Sequence, residues 1–127
     1  MSMITENTVV IKPDAEERVM NDLADYGCSG INKVWSNDKM IVILFDNNGD
    51  NPWDIQGTAN TQADWEDILA IETNYGDEDD DGCLYYTQVN TEEYGMSPYD
   101  GELLDWLHDQ LTEREYNKVK KLIAYTI

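Results

Sequence analysis

Between residues 40 and 113 the chain contains no lysine and no arginine, although 19 aspartates and glutamates fall in the same stretch. Over all 127 residues, 27 acids stand against 8 bases, a formal net charge of −19 at pH 7. Charge of one sign on this scale opposes compaction by self-repulsion, so folding stability does not account for it. The missing bases argue against direct binding of nucleic acid or of an anionic membrane. Long apolar runs are missing too: the longest, residues 40–45, is far short of the ~20 residues that cross a bilayer. Residues 1–6 hold no basic stretch leading into an apolar run, so no secretory signal is read there and a cytoplasmic location is expected. Two cysteines, Cys28 and Cys83, with no CxxC between them, read as free thiols in a reducing compartment. With a single histidine, His108, the usual structural zinc sets lack ligands.

The signatures of catalysis are equally sparse. No serine sits in a G-x-S-x-G elbow, and there is no P-loop and no G-x-G-x-x-G. His108 lies beside Asp109 among charged neighbours, the setting of a surface side chain rather than of a general base. Carboxylate pairs are so abundant that no single pair is informative, and a nuclease would want bases to hold its substrate where its carboxylates are. The chain is therefore expected not to be an enzyme and to carry no cofactor.

What is present is enough for a core. Hydrophobic residues make up 41% of the chain, with four Trp and eight Tyr, and 127 residues is near the commonest size of a single domain. Residues 8–12 are rich in β-branched side chains and read as a short strand. Pro13 and the acids after it open a helix on which Ala15, Val19, Leu23 and Tyr26 share a face, with Gly27 as its C-cap. Residues 31–36 and 39–45 read as two strands joined by a turn at Asn37-Asp38. Residues 46–53 are dense in turn formers.

A helix of roughly three turns is expected after Thr61, with Thr61 as N-cap, Asp64 at N3, and Trp65, Ile68 and Leu69 toward the core. The acidic residues 76–82 lead into a strand over 83–90. Ser97-Pro98 is expected to cap a further helix with Leu103, Leu104, Leu107 and Leu111 as its apolar stripe. Thr112 and Glu115 form a capping box for a last helix, on which Tyr116, Val119 and Ile123 align. The fold expected is α+β: one domain over 1–127, a small, mostly antiparallel sheet of about four strands packed with three or four helices.

The charge is patterned. Glu102, Asp105 and Asp109 recur at i, i+3, i+7, and Asp64 with Asp67, like Asp22 with Asp25, recur at i, i+3. On a helix such neighbours stand roughly 5–6 Å apart, similar to the spacing of phosphates along a nucleic-acid strand. Half of the bases, Arg114, Lys118, Lys120 and Lys121, sit on the last helix. The competing reading is of solvated acidic faces, with the last helix pairing internally with them.

Asp77-x-Asp79-x-Asp81-Gly82, followed by Leu84, resembles the first half of the calcium loop of the EF-hand family, in which alternate carboxylates of a tight turn converge on a hard cation. The resemblance implies Asp77, Asp79 and Asp81 as calcium ligands. It departs at the twelfth position, where Gln88 replaces the bidentate Glu, and a strand rather than a helix follows. A second segment, Asp46-x-Asn48-x-Asp50, has Asn51 where Gly is wanted.

In size, charge and aromatic content the chain resembles the phage-encoded DNA-mimic inhibitors, the anti-restriction and anti-CRISPR proteins, and the acidic immunity proteins that neutralise nuclease toxins; it shares no motif with either group. The resemblance implies an inhibitor whose acidic face occupies the basic nucleic-acid groove of a nuclease or another nucleic-acid-binding protein, with no direct contact to nucleic acid or membrane. The residues expected to meet that partner are Asp77, Glu78, Asp79, Asp80 and Asp81, then Glu102, Asp105 and Asp109, then Asp64 and Asp67. Tyr75, Tyr85 and Tyr94 are the expected aromatic anchors. The alternatives are a nuclease-toxin immunity protein and a calcium-binding module built on 77–82. A monomer or a dimer fits the composition equally.

Overall fold

Two apolar segments set the centre of the fold. Residues 9–11 and 40–45 are buried at every position, which in an extended chain means burial on both faces of a sheet. The computed structural model describes residues 4–48, 62–76 and 84–124. In chain order the elements are β1 (Ile4–Ile11), α1 (Glu16–Asp25), β2 (Ser29–Ser36), β3 (Ile41–Asn48), β4 (Ile68–Gly76), β5 (Leu84–Thr91), β6 (Gly95–Pro98), α2 (Leu103–Gln110) and α3 (Glu113–Ala124). The strands form one sheet in the order β2-β3-β1-β4-β5-β6, and every neighbouring pair is antiparallel.

Helices cover both faces. Val9, Ile11, Ile41, Ile43 and Phe45 point to one side, where Val19 and Leu23 of α1 pack on them. Val10, Met40, Val42 and Ala70 point to the other, beneath Leu103 and Leu107 of α2 and Val119 and Ile123 of α3. The alternation along each strand thus feeds two cores from one sheet.

Several boundaries follow the local chemistry. Gly27 adopts φ +85°, and a paired closure ends α1: Gly27 N donates to Ala24 O at 3.1 Å and Cys28 N to Leu23 O at 3.0 Å. Asn37 closes the β2–β3 turn by accepting at Oδ1 from Lys39 N (2.8 Å) and Met40 N (2.9 Å). The Thr112–Glu115 capping box forms as expected, with Glu115 N donating to Thr112 Oγ1 at 3.2 Å and Thr112 N to Glu115 Oε1 at 3.1 Å.

The class is α+β with an antiparallel sheet, but the sheet has six strands and three helices accompany it, where about four strands were expected. The difference lies in two segments. The helix expected after Thr61 is a single 3-10 turn, Trp65–Asp67, followed by β4. Its helical spacing comes from a β-bulge: the β1–β4 register shifts between Val10 and Ile11, so Ile68 and Ile71 face one core while Leu69 and Ala70 face the other. One extra residue converts the strand period into an i, i+3 pattern. The second segment is Ser97-Pro98, which ends β6 instead of opening a helix; α2 begins later, after Glu102. Pro98 fits there because β6 is an edge strand.

Candidate acidic interaction surface

The β5–β6 side of the sheet collects acids. Thr91 pairs with Gly95 across a three-residue loop, Glu92-Glu93-Tyr94, and Gly95 takes φ +67°, the left-handed position such a loop requires. Thr91 Oγ1 accepts from Tyr94 N at 3.2 Å and donates to Gly95 O at 3.4 Å, which sets the turn. Glu92 and Glu93 are exposed, and Tyr94 is 73% exposed at the tip. The hairpin is tied to the neighbouring turn by Asn90, whose Nδ2 donates to Trp65 O (2.6 Å) and Ile68 O (2.8 Å).

That turn brings further carboxylates. Asp64 Oδ1 accepts from Glu66 N, and Asp67 Oδ2 accepts from Asp64 N, each at 3.1 Å. Glu66 and Glu92 line an open groove of about 540 Å³ together with Leu69, Thr91 and Lys12. On the opposite face, Tyr99 N donates to Thr87 O at 2.9 Å and leads the chain past the exposed Asp100 into α2.

The N-terminus of α2 is held by two carboxylates. Asp105 Oδ2 accepts from Glu102 N at 3.1 Å. Glu72, reaching up from β4, accepts at Oε2 from Leu103 N (2.8 Å) and from Thr87 Oγ1 (3.1 Å). A carboxylate there meets the positive end of the helix dipole and an amide with no partner within the helix. Glu102, Asp105 and Asp109 are exposed. They point away from Leu103 and Leu107 at 100° per residue, so they form a stripe facing outward from the sheet.

The expected site residues therefore separate by role. Asp77, Glu78, Asp79, Asp80 and Asp81, and with them the calcium loop, lie outside the described residues, as does Cys83. Tyr75 and Tyr85 take part in the β4–β5 ladder, and their side chains also lie outside the description. Tyr94 and the stripe Glu102, Asp105, Asp109 are exposed. Asp64 and Asp67 do not share a helix face; they build the 3-10 turn.

Asp67 is neutralised by Arg18 of α1, whose Nη2 lies 3.0 Å from Oδ1 and whose Nε lies 3.3 Å from Oδ2. Burial pushes the Asp67 carboxyl up, but the Arg18 hydrogen bonds and charge, with the Asp64 amide, outweigh it and hold the group below the usual carboxylate range. The Arg18 guanidinium is raised in turn. Asp22, read from sequence as half of a stripe with Asp25, is buried at 4% exposure. It accepts from Gln62 N (2.9 and 3.1 Å) and Ala63 N (2.7 Å), fastening α1 to the segment before β4.

Glu66, Glu72, Glu92 and Glu93 were not singled out from sequence. The Glu92-Glu93-Tyr94-Gly95 run carried a signal, since a short polar loop ending in Gly between two β-rich segments is a hairpin mark. Glu72 carried none, because its role depends on strand β4 and helix α2 meeting.

Among the described residues no group of three or more His, Cys, Asp or Glu is placed to hold a metal ion. Glu6, Asp46 and Glu72 line one cavity of about 170 Å³ without forming such a group. His108 Nε2 donates to Glu113 Oε2 at 3.0 Å, and its ring meets Tyr116 tilted by 42° with centroids 4.1 Å apart, so it clasps α2 to α3. Cys28 is a half-buried thiol, and burial pushes its pKa up to about 11. No helix among the described residues is long and apolar enough to cross a membrane. No family model, no curated protein and no solved structure matches this chain.

Proposed function

We propose that this protein acts by binding rather than by catalysis, and that its acidic surface occupies the basic nucleic-acid groove of a nuclease or another nucleic-acid-binding protein, excluding the nucleic acid. The observation that carries this reading is the separation of charge. Glu66, Glu92, Glu93, Asp100, Glu102, Asp105 and Asp109 are all exposed, and none of them makes an ion pair among the described residues. Having no intramolecular ion pair to give up, these carboxylates can meet a cationic groove without breaking one. They steer association with a cationic groove and pair there with Arg and Lys. Tyr94, exposed at the tip of the hairpin beside Glu92 and Glu93, supplies an aromatic contact. The sequence adds five consecutive acids, Asp77 to Asp81, to the same charge excess.

The test is retention of a partner from a cell lysate on the immobilised protein at low and high salt, with and without competing duplex DNA. The expected result is one nucleic-acid-binding protein, retained at moderate salt and released by duplex. Charge reversals E92K/E93K and D79K/D80K/D81K should each weaken its capture, mainly through the association rate. A diffuse set of basic proteins, lost with salt and indifferent to duplex, defeats the reading.

A further inference from the structure

The layer formed by α2 and α3 carries two charge stripes of opposite sign side by side. On α2 the outward residues are Glu102, Asp105 and Asp109. On α3, Arg114, Lys118 and Lys121 recur at i, i+4, i+7 opposite the buried Val119 and Ile123, and all three are exposed. The helices are consecutive, joined through Leu111 and Thr112. Even so, the two stripes do not neutralise each other: among the described residues the one ionic contact between these helices is His108 with Glu113.

The acids of α3 itself are occupied elsewhere. Glu113 is held by His108, and Glu115 accepts from Asn37 Nδ2 at 2.9 Å and from Thr112. Lys120 lies over the Tyr116 ring, 5.9 Å from its centroid. In a chain of net charge −19, three exposed bases on one helix face are left without an ion partner among the described residues.

A patch that is acidic on one half and basic on the other is complementary to itself after a two-fold rotation. We infer that two copies of this chain associate through the outer faces of their α2–α3 layers, α2 of each lying against α3 of the other. Both contacts then bring carboxylates to Lys and Arg. Leu122, 38% exposed beside Lys121, adds apolar area. At 0.15 M salt charges further apart than about 8 Å are largely screened, so the net charge acts on such a dimer mainly through the groups at the contact itself.

The area sets the strength. At about 1.5 Å per residue α2 is ~12 Å long and α3 ~18 Å, and two helices side by side span ~20 Å. The patch is then on the order of 360 Å² per partner, against about 800 Å² in a standard stable interface. The dimer is therefore weak and populated only at high protein concentration. It covers the α2 stripe, which the proposed function also uses, but leaves Glu92, Glu93 and Tyr94 open; K118E/K121E removes the dimer without touching any residue of that reading.

Sedimentation equilibrium in 0.15 M salt, from about 10 μM to about 1 mM, tests it. The wild-type mass should climb from one chain toward two, while K118E/K121E and D105K/D109K should each stay at one chain. An equimolar mixture of the two variants should regain the wild-type curve, because each then offers the other an opposite stripe in both contacts. Wild type fixed at one chain, K118E/K121E associating like wild type, or a mass passing beyond two chains overturns the inference. Lys118 and Lys121 make no intramolecular bond among the described residues, so K118E/K121E decides the question by itself if the α2 variant, which loses the Asp105 cap, fails to fold.

Discussion

Replacing Asp22 by alanine pits two physical effects against each other. The chain carries 27 acids, and removing one from a self-repelling surface should stabilise the fold slightly or leave it unchanged. Asp22, however, is not on the surface. Its carboxylate takes the amide hydrogens of Gln62 and Ala63, and Ala63 is itself buried in the core beneath α1. Asp22→Ala leaves both amides without an acceptor, at ~1–3 kcal/mol each for a buried group, and Gln62 is the more open to water. The expected loss is ~2–5 kcal/mol, a large share of the ~5–15 kcal/mol typical of a domain. In urea, ~3 kcal/mol at a slope of ~1.5 kcal/mol/M lowers the midpoint by about 2 M. Asp22→Asn keeps one acceptor oxygen and should lose about half as much. Asp25→Ala, an exposed acid of the same helix, should move the midpoint little or raise it. If Asp22→Ala unfolds at the same urea concentration as Asp25→Ala, the clamp between α1 and residues 62–63 contributes nothing and the argument fails.

Other outcomes follow from the same structure. Because Asp67 titrates below its usual range in the folded chain, the stability it contributes is present above the ordinary Asp value of about 3.9 and is lost as pH falls through the lower folded value. Wild type should therefore exceed Arg18→Met in urea midpoint at pH 7, with the gap closing below about pH 4; a gap that persists at pH 2 contradicts the ion pair as its source. Leu107→Ala, which opens a cavity between α2 and the sheet, should cost ~2–5 kcal/mol, whereas Leu122→Ala, on the exposed side of α3, should cost under ~0.5 kcal/mol. In a Cys83→Ser background Cys28 should react slowly with a disulfide reagent. With its pKa at about 11 instead of 9.0, its thiolate fraction at pH 8 is roughly 100-fold smaller than in the unfolded chain, and equal rates before and after unfolding would refute the burial.

Much of the local structure was legible in the residues. Pro13, Gly27, Asn37 and the Thr112–Glu115 pair act through bonds to chain neighbours, so each carries its meaning wherever the segment lies. The two-sided burial of residues 40–45 was likewise written in an unbroken apolar run. Misreading began where a single residue disturbed the period. Trp65, Ile68 and Leu69 have helical spacing, but Trp65 lies in the 3-10 turn and the bulge sends Leu69 to the other core, and nothing in the segment alone distinguishes a bulged strand from a short helix. The candidate surface was half legible for the same reason. The exposed stripe Glu102, Asp105, Asp109 follows from helix periodicity, but Glu66 and Glu92 line one groove only because the β5–β6 hairpin folds back beside the 65–67 turn.

The amino-acid sequence by itself determined the net charge, the band from 40 to 113 without bases, the apolar segments and the local caps, because each is a property of composition or of residues a few positions apart. Only the tertiary structure decided which acids are free to meet a partner. Asp22, Asp67 and Glu72 look like every other acid along the chain, yet one closes on the amides of residues 62–63, one on Arg18 and one on the first amide of α2. Those partners lie 31 to 49 residues away, and a carboxylate's role depends on what lies within about 3 Å of its oxygens, which the chain alone does not state.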